Sequence, residues 1–118
     1  MISFTTLSPP SGCISSNQFP PSTVISGPTL NGQTVVATPA TGGCNYSGEY
    51  AEVALIQGNY TITSSTSTDF FTITTASNTI LASGASPLNF SISTAGTYRY
   101  HIFSSSSCIA DENCRRVS

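Results

Sequence analysis

The sequence predicts an all-β fold: an antiparallel β-sandwich, jelly-roll or immunoglobulin-like, of about seven to eight short strands held by disulfides. Three observations predict it. Short runs of alternating apolar and polar residues recur between Gly, Asn and Pro punctuation. Helical periodicity is absent, with room for at most one turn within Cys108 to Arg116. Charged residues make up only 7% of the 118, against roughly 25% in an average soluble domain, so solubility rests on Ser, Thr, Asn and Gln.

Taken in order, Ile2 to Leu7 alternate weakly and predict a first, edge strand, which Pro9-Pro10-Ser11-Gly12 ends. Cys13 to Pro28 is rich in Ser and Pro and leaves space for short extended pieces such as Thr23-Val24-Ile25. The Asn31-Gly32 turn predicts a strand over Gln33 to Thr38, followed by the loop Thr41 to Cys44. From Glu49 the pattern sharpens. Tyr50 to Ile56 alternates, with Ala51, Val53 and Leu55 predicted inward and Tyr50, Glu52 and Ala54 outward. Gly58-Asn59 turns into a strand over Tyr60 to Thr63, and a Ser/Thr loop leads to Asp69 to Thr74, where Phe71 and Ile73 share a face. Thr79 to Ala82 and Leu88 to Ile92 follow, separated by Gly84 to Pro87. The clearest strand is Gly96 to Phe103, with Tyr98, Tyr100 and Ile102 predicted inward and Thr97, Arg99, His101 and Phe103 outward. The chain reads as one domain, residues 1–118, with a loop-rich segment over 1–32 and a core module over 33–118.

Composition excludes several functions. A net charge of −2 with three arginines and no lysine lacks the cationic surface that nucleic acid or anionic lipid demands. No apolar run approaches the roughly 20 residues of a spanning helix. Met1 directly before Ile2-Ser3-Phe4 is read as an initiator placed on an excised mature segment. The four cysteines show no Cys-x-x-Cys spacing for zinc, and their even number in a Ser/Thr-rich chain points to disulfides formed outside the cytoplasm. Three pairings are possible. The expected one follows sequence order, Cys13–Cys44 and Cys108–Cys114, closing loops worth roughly 3–4 and 2 kcal/mol.

Candidate chemistry is sparse. His101 with Asp69 or Asp111 and a serine has the composition of a hydrolase triad, but no Gly-x-Ser-x-Gly elbow accompanies it and nothing places a serine beside it. An outward strand histidine is the simpler reading, so no catalytic residue and no cofactor are assigned. Asp111 and Glu112 offer carboxylates for a calcium ion, without the spaced ligands of an EF-hand. Tyr46, Tyr50 and Arg99 are candidates for stacking on a glycan. Three Asn-x-Ser/Thr triplets begin at Asn45, Asn59 and Asn89, a pattern such composition produces by chance. Thr61/Thr63 and Thr72/Thr74 read as ordinary strand surface.

The stretch Cys44-Asn45-Tyr46-Ser47-Gly48-Glu49-Tyr50-Ala51-Glu52-Val53 resembles a module of secreted and surface proteins of the Bacteroidota. The likeness continues through Thr68 to Ile73 and Ala95 to Tyr100, to Ser107-Cys108 and Cys114-Arg115, covering roughly residues 33 to 118. It implies a sandwich similar to bacterial pre-peptidase C-terminal jelly-roll domains, with a non-catalytic adhesive or accessory role. The expectation is an extracellular module whose partners are neighbouring domains, glycans or other copies of itself. A filament subunit built by edge-strand or terminal-strand exchange is the alternative expectation, and a carbohydrate-binding module a third.

Overall fold

A computed structural model describes residues 12–19, 21, 23–36, 45–111 and 113–118. Among them are eight strands and no helix: β1 (Asn17–Gln18), β2 (Val24–Ser26), β3 (Glu49–Leu55), β4 (Gly58–Ile62), β5 (Phe70–Thr75), β6 (Ile80–Ala85), β7 (Leu88–Ile92) and β8 (Gly96–Phe103). One sheet has the order β1-β3-β8-β5-β6, with β2 also on β3; the other is the two-stranded ribbon β4-β7. This is the predicted all-β sandwich. Most pairs are antiparallel, but β1 and β2 run parallel to β3, one after the other along the same edge.

Period-two alternation builds the core. Register places Ala51, Tyr100, Ile73 and Ala82 in one row across β3, β8, β5 and β6. The smallest of them sits opposite the largest. Ala51, Tyr100 and Ile73 form the core with Ile62, Phe71, Ile102 and Val117, and Ile25, Val53, Ala82, Leu88 and Phe90 pack against it. Phe71 meets Tyr100 edge-to-face at 6.2 Å, the geometry that the ring quadrupoles favour. The inward row predicted for β8 is therefore right.

The outward row is outward only at one end: Ala54 and Thr97 are exposed and Glu52 and Arg99 half-buried, but Tyr50, His101 and Phe103 are buried. One residue along the same strands, register lines up Tyr50, His101, Thr72 and Ser83. His101, Thr72 and Thr74 are fully buried and Tyr50 nearly so. The cover is residues 12–15, which lie across this second face before the chain joins the sheet's edge as β1. Cys13 N–H donates to Thr72 Oγ1 at 2.9 Å and Ser15 N–H donates to His101 Nδ1 at 2.9 Å. Gly12 lies so close that a Cβ there would stand 2.6 Å from Thr72 Cγ2. Thr72 and Thr74 are interior, and His101 belongs to a buried polar layer.

A disulfide pins this cover. Cys13 is bonded to Cys108, with Cα atoms 5.4 Å apart. The expected Cys13–Cys44 and Cys108–Cys114 pairings are thereby both corrected. Sequence order misleads here because the first covering segment passes beneath the end of β8, bringing residue 13 to residue 108 across 95 positions. Cys114 is also in a disulfide; Cys44 lies outside the described residues. The strand expected over Gln33 to Thr38 is not formed over 33–36, and the remainder is not described. The first strand expected at Ile2 to Leu7 also lies outside the described residues. β6 runs on through Gly84, which was expected to be a break.

The C-terminal segment closes the sandwich. Asn45 and Arg115 exchange two backbone hydrogen bonds, and Thr63 and Ser118 exchange another two. Val117 between them is buried in the core.

Candidate functional site

The residues singled out from the sequence do not form one site. Arg99 lies directly opposite Glu52 across β8 and β3, so the two ion-pair at 3.1 Å. Its guanidinium sits 4.6 Å above the Tyr50 ring and reaches Asn78 Oδ1 at 3.2 Å. Tyr50 is thus covered by a cation, with its other neighbour, the His101 ring, at 5.3 Å. It has no free face for a sugar. Tyr46 is exposed and apart from that pair. The proposed trio is split.

The carboxylate expected to hold calcium is already taken. Asp111 receives Arg115 through both oxygens, Nη1 to Oδ1 at 2.5 Å and Nη2 to Oδ2 at 2.8 Å. That pairing holds the Asp111 carboxyl below the usual carboxylate range. Arg115 Nε also approaches Asp69 Oδ2 at 2.6 Å as an ion pair, and its pKa is raised by Asp111 first and then by Asp69, against the opposing effect of burial. Asp69 is fully buried and accepts Ser64 Oγ–H at 2.6 Å. No cluster of metal-ligating side chains occurs among the described residues, and Glu112 lies outside them.

Around His101 every polar atom has a structural partner. The Ser15 backbone can only donate, so Nδ1 is the acceptor and Nε2 carries the proton, donated to Thr74 Oγ1 at 3.0 Å. Thr74 Oγ1 donates onward to the Thr75 carbonyl. Ser15 Oγ is spent on the Gly48 carbonyl. Burial first, and Arg99 second, push the His101 pKa down to about 4. A neutral imidazole with both nitrogens engaged and no hydroxyl free for attack carries no triad chemistry. Asn45 is equally committed: Tyr100 O–H donates to its Oδ1 at 2.6 Å and its Nδ2 donates to the Phe19 carbonyl. Asn59 and Asn89 are exposed on the ribbon's outer side, each accepting from the opposite strand's hydroxyl, Ser91 and Thr61.

The open chemistry lies elsewhere, in the ribbon. Two strands cannot roof a six-stranded sheet, and an apolar cleft of about 120 Å³ opens beside β4. Val53, Leu55 and Tyr98 line it from the large sheet, Tyr60 and Phe90 from the ribbon, and Gly27, Pro28, Gln33, Thr34 and Val35 from the loop after β2. Tyr60 and Phe90 are direct cross-strand partners whose rings stack at 5.6 Å. A second opening of about 320 Å³ continues along the same edge, between residues 28–34 and 56–61.

The backbone of β4 faces this gap. Thr63 and Ser65 already bond outward, to Ser118 and Arg116. Because N–H and C=O directions alternate along a strand, Asn59 and Thr61 present theirs to the same side. Among the described residues β4 pairs only with β7, and the C-terminal residues reach its other side only at Thr63 and Ser65. The sequence held a trace of this cleft in the inward row Tyr60, Ile62, Leu88 and Phe90. It held no sign that these strands would stand alone as a second layer. No family model, curated protein or solved structure matches this chain.

Proposed function

We propose that this chain is a non-catalytic extracellular module that works by packing against other protein, as a structural subunit whose partners are copies of itself or adjoining domains. One observation carries the reading: among the described residues the second layer has only two strands, and the β4 edge away from β7 lies beside an apolar cleft. Open edges invite a further strand. The low charge opposes little repulsion to packed copies, and the Cys13–Cys108 disulfide suits an oxidising compartment. The resemblance of residues 33 to 118 to surface modules of the Bacteroidota supports an adhesive or accessory setting. Exposed Leu30, Val36 and Ile109 add apolar area for contact.

Sedimentation velocity on the full chain, from micromolar to millimolar concentration, tests the reading. Reversible growth of oligomers with concentration is expected. A monomer over the whole range overturns self-assembly as its role.

A further inference from the structure

We infer that the gap beside β4 is a strand-docking slot, and that its occupant is the segment Ile2–Leu7 of a second copy of this chain. The inference rests on the packing role proposed above and names the partner. The C-terminal segment already occupies the start of the slot, where Ser118 pairs with Thr63 and Val117 is buried. A strand placed in line with it would meet the N–H and C=O groups of Asn59 and Thr61, which face away from β7 and have no backbone partner among the described residues. It would turn alternate side chains down onto Val53, Leu55 and Tyr98.

Ile2–Leu7 has the required pattern. Ile2, Phe4 and Thr6 fall on one face, Ser3, Thr5 and Leu7 on the other. An apolar cavity of roughly 150 Å³ accommodates a benzene ring, so the cleft of about 120 Å³ is sized for one large side chain. Phe4 is the anchor.

Reach favours a second copy over the chain's own segment. Gly12 lies against Thr72, behind the large sheet, whereas the cleft lies in front of it, a layer spacing of about 10 Å away. From Gly12 back to Leu7 an extended chain covers about 17 Å. Within one molecule that span must cross the sheet's thickness and also round an edge strand. Thr72 is on β5, whose nearer edge is β6, and that route then meets β7 and β4 before the slot. A neighbouring copy meets no such obstacle. The contact is heterologous, slot to segment, and such contacts propagate into open chains of subunits.

The test uses the full chain, its Ile2→Asp/Phe4→Asp double variant, and a synthetic peptide of residues 1–8. Wild-type protein is expected to associate as concentration rises and the double variant to stay monomeric. Saturating peptide is expected to shorten the wild-type assemblies. On the monomeric variant, peptide at about 100 times its Kd should slow hydrogen exchange at the Asn59 and Thr61 amides about 100-fold. A peptide carrying Phe4→Asp should do neither. Assembly that survives the double substitution overturns the docking while leaving the structural role standing. A wild-type monomer whose Asn59 and Thr61 amides ignore the peptide overturns both.

Discussion

Lowering the pH from 7 to 4 should cost this fold much of its stability, through one side chain. His101 is fully buried, and its Nδ1 accepts the Ser15 N–H. Protonating it would set two donors face to face and place a charge near Arg99. The folded protein therefore keeps it neutral until about pH 4, whereas an unfolded histidine takes up its proton near 6.5. Between those values the unfolded state binds more protons, so stability falls as pH falls. At 1.36 kcal/mol per unit the loss totals about 3 kcal/mol, a large part of the 5–15 kcal/mol typical of a domain. Below about pH 4 this group removes nothing further. Asp111, held below the usual carboxylate range by Arg115, contributes stability that is lost only at still lower pH. Urea unfolding followed by circular dichroism at pH 7, 5.5 and 4 should show the midpoint sliding down at constant m-value. A His101→Gln variant can still accept from Ser15 but cannot titrate; it should begin less stable and lose the slope. A wild-type midpoint flat from pH 7 to 4.5, or a variant that keeps the slope, refutes the buried neutral imidazole.

Three further outcomes follow from contacts described above. Arg115→Met should destabilise by about 3–5 kcal/mol, because it leaves Asp69 buried without its cation; thermal melting should show part of the loss recovered in an Asp69→Asn background. Tyr100→Phe should cost about 1–3 kcal/mol by stranding Asn45 Oδ1, and combining it with Asn45→Ala in a double-mutant cycle should give less than the sum of the two. Peptide mapping without reduction should recover a Cys13–Cys108 linkage. Replacing that pair by alanines should cost about 4–5 kcal/mol in the chain-entropy model for a loop this long, read from urea midpoints.

How far the sequence reveals the molecule depends on which face of a strand is considered. Tyr98, Tyr100 and Ile102 alternate with polar neighbours, and the period assigns Tyr100 and Ile102 to the core correctly, with Tyr98 half-buried at the cleft. The neighbours defeat the same logic. His101, Thr72 and Thr74 are polar residues in a position that period alone assigns to solvent, yet they are buried beneath residues 12–15. That cover, Gly12-Cys13-Ile14-Ser15, forms no strand, and the chain first pairs regularly just after it, in the two residues of β1. The disulfide eluded sequence reasoning for the same reason, since Cys13 reaches Cys108 only once that cover is in place. Arg99 with Glu52 was within reach, given correct β3–β8 register. The cleft was not, because it arises from how many strands each layer receives, and a list of strands does not say how they divide.

The Cys13–Cys108 link also fixes how the protein carries tension. A pull entering at Gly12 and leaving through residues 108–118 crosses the molecule by one covalent step, bypassing the 95-position span that the bond closes. The sandwich between those points hangs off the line of force as a slack loop would. Load leaving there meets the short C-terminal run, which is held by hydrogen bonds to Asn45, Thr63 and Ser65 and by the disulfide at Cys114. A subunit wired this way passes tension to its C-terminal run before its central strands, and Val117 is the core residue that run would withdraw first.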